Sequence, residues 1–209
     1  MTRPLVITDC DEVLLHMVRP FREWLDEEHA VDFVLEGQAF RDSMRRRGST
    51  EPLAEEEMWS FLNLFFDSEM HRQVPIEGAV HAINELQREA DVVILTNLQD
   101  KRNEARTRQL LDLGITARVF TNQGPKGGAL ARIVAEYGPT RSVFIDDIAA
   151  HHASAADLVP QISRLHFCGE RTIAPHIPCA HVAGHAHARI DSWDKALPWL
   201  LETLHGDVA

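Results

Sequence analysis

The stretch "LVITDCDEVLLH", Leu5 to His16, decides how this chain is read. An apolar run ends at Thr8, and three acids, Asp9, Asp11 and Glu12, crowd into the next four residues. A short β-rich run of this kind reads as a buried strand. In extended chain, side chains two apart share a face, so Asp9 and Asp11 point into one pocket and Cys10 turns away. Carboxylates gathered at one spot repel unless a cation joins them. Hard carboxylate oxygens with room for water suit Mg²⁺.

Similar runs recur along the chain as "DVVILTN", "ARVFTN", "RSVFIDD", "ISRLHFC" and "AHVAG". Between them, "GAVHAINELQREA", "NEARTRQLLDLG" and "GALARIVAEYG" carry apolar residues at spacings of three and four. Buried strands alternating with helices predict an α/β fold, a Rossmann-like parallel sheet with helices on both faces. Residues 18–76 break the rhythm and hold no convincing strand. There "RPFREWLDEEH", "FVLEGQAFRDSMRRRG" and "PLAEEEMWSFLNLFFDSEM" all read as helices, the last starting near Thr50. The expected organisation is a core from 1–17 and 77–209, interrupted by a small all-α domain at 18–76.

In open parallel sheets, ligands bind beyond the carboxyl ends of the strands. Polar chemistry collects there in this sequence. The first strand delivers Asp9 and Asp11, another Thr96 and Asn97, and a later one Asp146 and Asp147. Lys126 stands in "NQGPKGGAL", just before a helix. That loop lacks the Gly-Lys-Ser/Thr of a P-loop.

Together these residues resemble the haloacid dehalogenase-like hydrolase superfamily: an Asp-x-Asp after the first strand, then Thr, Lys and an acidic pair, in order over nearly the whole chain. The resemblance implies roles. Asp9 would attack phosphorus, and Asp11 would protonate the leaving oxygen and then activate water. Thr96, with Asn97 beside it, would bind the phosphoryl group, and Lys126 would neutralise charge. Mg²⁺ would be held by Asp9, the Asp11 carbonyl and the pair Asp146 and Asp147, with Asp147 the direct ligand. The segment 18–76 would be a cap that governs specificity. Dehalogenating members lack the second Asp, because a halide needs no proton, so Asp11 favours phosphoryl chemistry. Two positions depart from the pattern: Glu12 stands where the family has Gly, and His151 where many members have Asp.

The implied activity is a Mg²⁺-dependent phosphatase acting on a small soluble phosphorylated metabolite. The alternatives are a phosphotransferase or phosphomutase on the same scaffold, and a non-catalytic interaction protein that kept the fold. A net charge of -11 argues against bulk attraction to nucleic acid or anionic membrane. No apolar stretch reaches the length of a membrane span, no secretory signal is read, and the three cysteines fit free thiols in a reducing cytoplasm. Arg41, Arg45, Arg46 and Arg47 are either a solvated helix end or, through Arg45, a contact to a second anionic group on the substrate. The aromatic run "MWSFLNLFF" reads as the insert's core or a homodimer contact. His176, His181, His185 and His187 meet no structural zinc spacing. His151 and His152 border the pocket or sit on the surface at a helix start.

Overall fold

The computed structural model describes residues 2–35 and 40–206, except for the side chain of Arg41. The chain divides into two compact units, Met1–Leu15 with Pro75–Ala209, and His16–Val74.

The first unit holds a six-stranded sheet. Its strands are β1 (Leu5–Thr8), β4 (Asp91–Thr96), β5 (Arg118–Thr121), β6 (Ser142–Asp146), β7 (Ser163–His166) and β8 (Ala188–Arg189). They lie in the order β5-β4-β1-β6-β7-β8, and every neighbouring pair is parallel. The helices α3 (Ala79–Glu89), α4 (Asn103–Asp112), α5 (Gly127–Tyr137), α6 (Ala149–Leu158) and α7 (Trp193–His205) supply the crossovers and cover the faces. This is the expected Rossmann-like α/β architecture. Strand alternation splits the core in two. Val6, Val92 and Ile94 pack with Ile83 and Leu86 of α3 and Leu200 and Leu204 of α7. Leu5, Ile7 and Phe144 face the other way, toward Leu130 and Ile133 of α5 and Ala155 of α6. Because β1 is buried on both faces, it reads as an unbroken apolar run. The edge strand falls at 188–189 and not in "AHVAG". That segment is a turn, with Gly184 in the left-handed region and Val182 on the surface.

The second unit is not all helical. It holds α1 (Val18–His29) and α2 (Glu55–Ser68), but β2 (Val31–Phe33) follows α1, and the segment expected as a middle helix, 33–48, carries β3 (Met44–Arg46), which pairs antiparallel with β2. Residues 36–39 of that expectation lie outside the described residues. Ala30 ends α1 in the left-handed region and turns the chain into β2. Nor does a helix begin at Thr50: Pro52 bridges to Arg45, and α2 starts at Glu55, with three acids in its first turn favoured by the helix dipole. The aromatic residues form this unit's own core. Phe21 meets Phe65 at 5.3 Å between ring centres and Phe33 at 6.0 Å, and Trp24 stacks beside Phe21. Among the described residues, no helix is long and apolar enough to cross a membrane.

Candidate active site

The carboxyl ends of β1, β4 and β6 bring the expected polar residues of the first unit together. Register explains it: Thr8 pairs with Ile94 and with Ile145, so Asp9, Thr96 and Asp146 emerge side by side. Lys126 arrives from the start of α5. Its ammonium is fully buried and lies 2.6 Å from Asp9 Oδ1 and 2.7 Å from Asp146 Oδ2. Close packing fixes that helix end. A Cβ on Gly127 would fall 2.3 Å from the Ser154 carbonyl oxygen, so only glycine lets α5 approach α6 this closely.

Charge in the cluster is unevenly balanced. Burial pushes the Asp9 carboxyl up to about 6, against the pull of Lys126. Burial would also raise Asp146, but Lys126 and His151 outweigh it and hold this carboxyl far below its ordinary value. Burial drives the Asp147 carboxyl well upward, and the charges of Asp146, Asp9 and Glu12 add to the effect. One ammonium cannot serve so many acids. Asp9, Asp146 and Asp147 each offer an oxygen, and these oxygens lie within 4.8 Å of one another. An all-carboxylate donor set with surplus negative charge fits a hard divalent cation such as Mg²⁺. Asp146 is already engaged by Lys126, the Ile148 N–H and His151, so Asp9 and Asp147 are the more available donors.

Thr96 is fully buried at the end of β4, and its hydroxyl has no partner among the described residues. A buried hydroxyl left unpaired costs free energy, which a ligand oxygen would recover. The Asn97 side chain is committed to protein. It donates to the Gly124 carbonyl (2.9 Å), accepts from Asn122 (2.9 Å) and meets His151 Nε2 at 3.3 Å. It braces β4 against the loop that carries Lys126. Arg45 belongs to the second unit, exposed on β3 opposite Asp32. Its neighbours serve their own unit: Arg46 pairs with Glu57 and lies 5.4 Å from the Phe61 ring centre, and Arg47 pairs with Asp26.

Four further residues support the site. His151 and His152 are buried, not surface residues. His151 Nδ1 lies 3.0 Å from Asp146 Oδ1, and with Asn97 donating to Nε2 the ring carries its proton on Nδ1. His152 Nε2 donates to the Asp146 carbonyl at 2.9 Å. His166 accepts the Ala180 N–H and donates to the Asp147 carbonyl at 2.8 Å, which orients the acidic pair. The fourth is Arg106 of α4, fully buried, with a nitrogen 3.0 and 3.2 Å from the two oxygens of Asp11. Its sequence signal is spacing: Arg102, Arg106 and Leu110 fall four apart on the buried side of the segment, where arginine is out of place.

No protein-family model and no curated protein matches the chain. Solved structures do. A haloacid dehalogenase-like family hydrolase from Streptococcus pneumoniae is 11% identical with a TM-score of 0.66, covering 96% of this chain and 98% of its own. A Lactobacillus plantarum protein provisionally named a phosphoglycolate phosphatase is 16% identical with a TM-score of 0.62, covering 95% and 99%. A Thermotoga maritima protein provisionally named a beta-phosphoglucomutase is 15% identical with a TM-score of 0.62, again covering 95% and 99%. Over 95–96% of its length the chain therefore shares the fold of these haloacid dehalogenase-like proteins.

Proposed function

We propose that this protein is a Mg²⁺-dependent phosphatase that hydrolyses a small soluble phosphomonoester through an aspartyl-phosphate on Asp9. The observation that supports it most is the buried Lys126 ammonium spanning Asp9 and Asp146. A carboxylate nucleophile and a phosphate dianion repel each other, and a fixed cation beside the nucleophile removes that barrier. Bound Mg²⁺, held by Asp9 and Asp147 with the Asp11 carbonyl, would supply further positive charge to the phosphoryl oxygens.

In the first step an Asp9 oxygen bonds to phosphorus while the bond to the leaving oxygen breaks. That oxygen takes the proton of Asp11. The Thr96 hydroxyl donates to a phosphoryl oxygen, and Lys126 balances the charge. In the second step water attacks the phosphorus, its proton passes to Asp11, and the bond to Asp9 breaks. Splitting one displacement into two keeps each barrier low. Asp146 acts through Lys126.

The test is phosphate release across sugar phosphates, nucleotides and small phosphorylated acids, with Mg²⁺ and with chelator. Mg²⁺-dependent release of inorganic phosphate, lost in Asp9→Asn, is expected. Full turnover in chelator would sink the assignment. Transfer to a hydroxyl acceptor without phosphate release would make the protein a phosphotransferase.

A further inference from the structure

We infer that Arg106 is a positioning residue for Asp11, so that both proton transfers depend on a guanidinium buried beneath the site. The inference rests on the phosphatase reading above. Arg106 has no accessible surface, and one of its terminal nitrogens reaches both oxygens of Asp11, at 3.0 and 3.2 Å. The other terminal nitrogen lies 2.8 Å from Cys10 Sγ. Burial pushes the Cys10 thiol upward, so it stays a neutral acceptor. The guanidinium therefore holds two consecutive residues of β1's extension, the Cys10 thiol with one nitrogen and the Asp11 carboxylate with the other.

Burying a guanidinium is expensive, and a structural pair of this kind is often replaceable by apolar packing. Here the partner is not a bystander. Asp11 is half-buried, one residue beyond Cys10, and close enough to Asp9 for its charge to raise the Asp9 carboxyl. A short Asp side chain has two free torsions. The Arg106 contact to both oxygens removes them, as proton transfer within hydrogen-bond reach requires. The arginine itself touches no substrate atom and exchanges no proton.

Arg106→Lys keeps the buried charge but loses the planar fork. Its expected signature is that of a misplaced Asp11. With p-nitrophenyl phosphate, whose leaving oxygen needs no proton, the variant releases a burst of nitrophenol equal to the enzyme present. It then stalls with phosphate on Asp9, seen as a mass increase of the intact chain. With glycerol phosphate, whose alkoxide needs the proton, the rate falls about 10²-fold or more and no phosphoprotein accumulates. Asp11→Asn gives the same pattern more strongly. Adding Arg106→Lys to Asp11→Asn costs nothing further, because residues that act as one unit are not additive. Cys10→Ala, which removes only the thiol contact, shows the same burst in smaller measure. It carries the test if Arg106→Lys does not fold, as judged by circular dichroism. Equal losses on both substrates without trapped phosphate, or losses that add in the double variant, overturn the inference while wild-type turnover leaves the phosphatase reading standing. So does Cys10→Ala with wild-type partitioning. If wild type releases no phosphate from any ester, the phosphatase reading falls and this inference with it.

Discussion

The ammonium of Lys126 lies between Asp9 and Asp146, 2.6 Å from one carboxylate and 2.7 Å from the other. Nothing else among the described residues brings a cation so near both. Lys126→Met would leave two buried acids facing each other. Removing one partner of a buried pair typically costs about 3–5 kcal/mol. The variant should melt well below wild type and lose about 10³-fold or more in phosphate release. Lys126→Arg should not restore activity, since the larger planar group cannot occupy the gap. Near-wild-type rates in Lys126→Met would remove Lys126 from the reaction.

The pH dependence of stability follows from Asp9. Its carboxyl moves from 3.8 to about 6 on folding, chiefly through burial. Between those values the folded chain holds a proton that the unfolded chain has released, so stability falls as pH rises through the window. A shift of two units corresponds to about 3 kcal/mol at most. Asp147 acts in the same direction, whereas Asp146 is held low and loses its contribution only in stronger acid. In chelator, the melting difference between wild type and Asp9→Asn should therefore turn against wild type from about pH 4 to pH 6. Saturating Mg²⁺ should abolish the trend. A difference that is flat with pH would show that Asp9 ionises normally.

Asp147→Asn should move stability in opposite directions with and without metal. Without metal, removing a carboxylate crowded by Asp146, Asp9 and Glu12 relieves repulsion and should stabilise the chain by about 1–2 kcal/mol. For wild type, Mg²⁺ at a hundred times its dissociation constant adds about 2.7 kcal/mol. The variant should gain almost none of this. Calorimetric Mg²⁺ titration and thermal melting check both halves, and an undiminished metal response in the variant would take Asp147 out of the ligand set.

Glu12 sits at φ 59°, in the left-handed region, and is buried. A side chain there costs roughly 1–2 kcal/mol, and its charge also acts on Asp147. Glu12→Gly should therefore raise the melting temperature of the metal-free protein, despite the added freedom of the unfolded chain. A lower melting temperature would mean that the carboxylate makes contacts worth more than the strain.

Much of the site was legible in the sequence because β1, β4 and β6 are buried on both faces and end abruptly in polar residues. Continuous apolar runs and helical spacing also made α3, α4 and α5 plain. Elsewhere the patterns that carry such readings were missing. Strands of three residues, as in "VDF" and "MRR", are too short to show alternation, and "RDSMRRRG" looked helical on composition. The helix "AAHHASAADL" has no apolar stripe, since its inward positions are filled by His151, His152 and Ala155. Both histidines are polar groups matched to Asp146, a pairing between neighbours in space that spacing cannot reveal. Asn97 followed Thr96 in the right place but spends its amide on the adjoining loop. Arg106 reads as one more charge on a helix until the depth of its face is known.

The strand order has a consequence for how the protein acquires its site. β1 is central, and its hydrogen-bonded neighbours are β4 and β6, which lie some 86 and 137 positions further along the chain from Leu5 to Asp91 and Ser142. Asp9, Thr96 and Asp146 therefore meet only after two long loops have closed, a slow step whose entropy is lost before any contact rewards it. A nascent chain released before β6 has emerged has the nucleophile but neither Asp146 nor Asp147. Premature termination and proteolytic nicking in the second half should leave fragments with no partial activity, and two fragments split near Gly124 should regain it only when mixed.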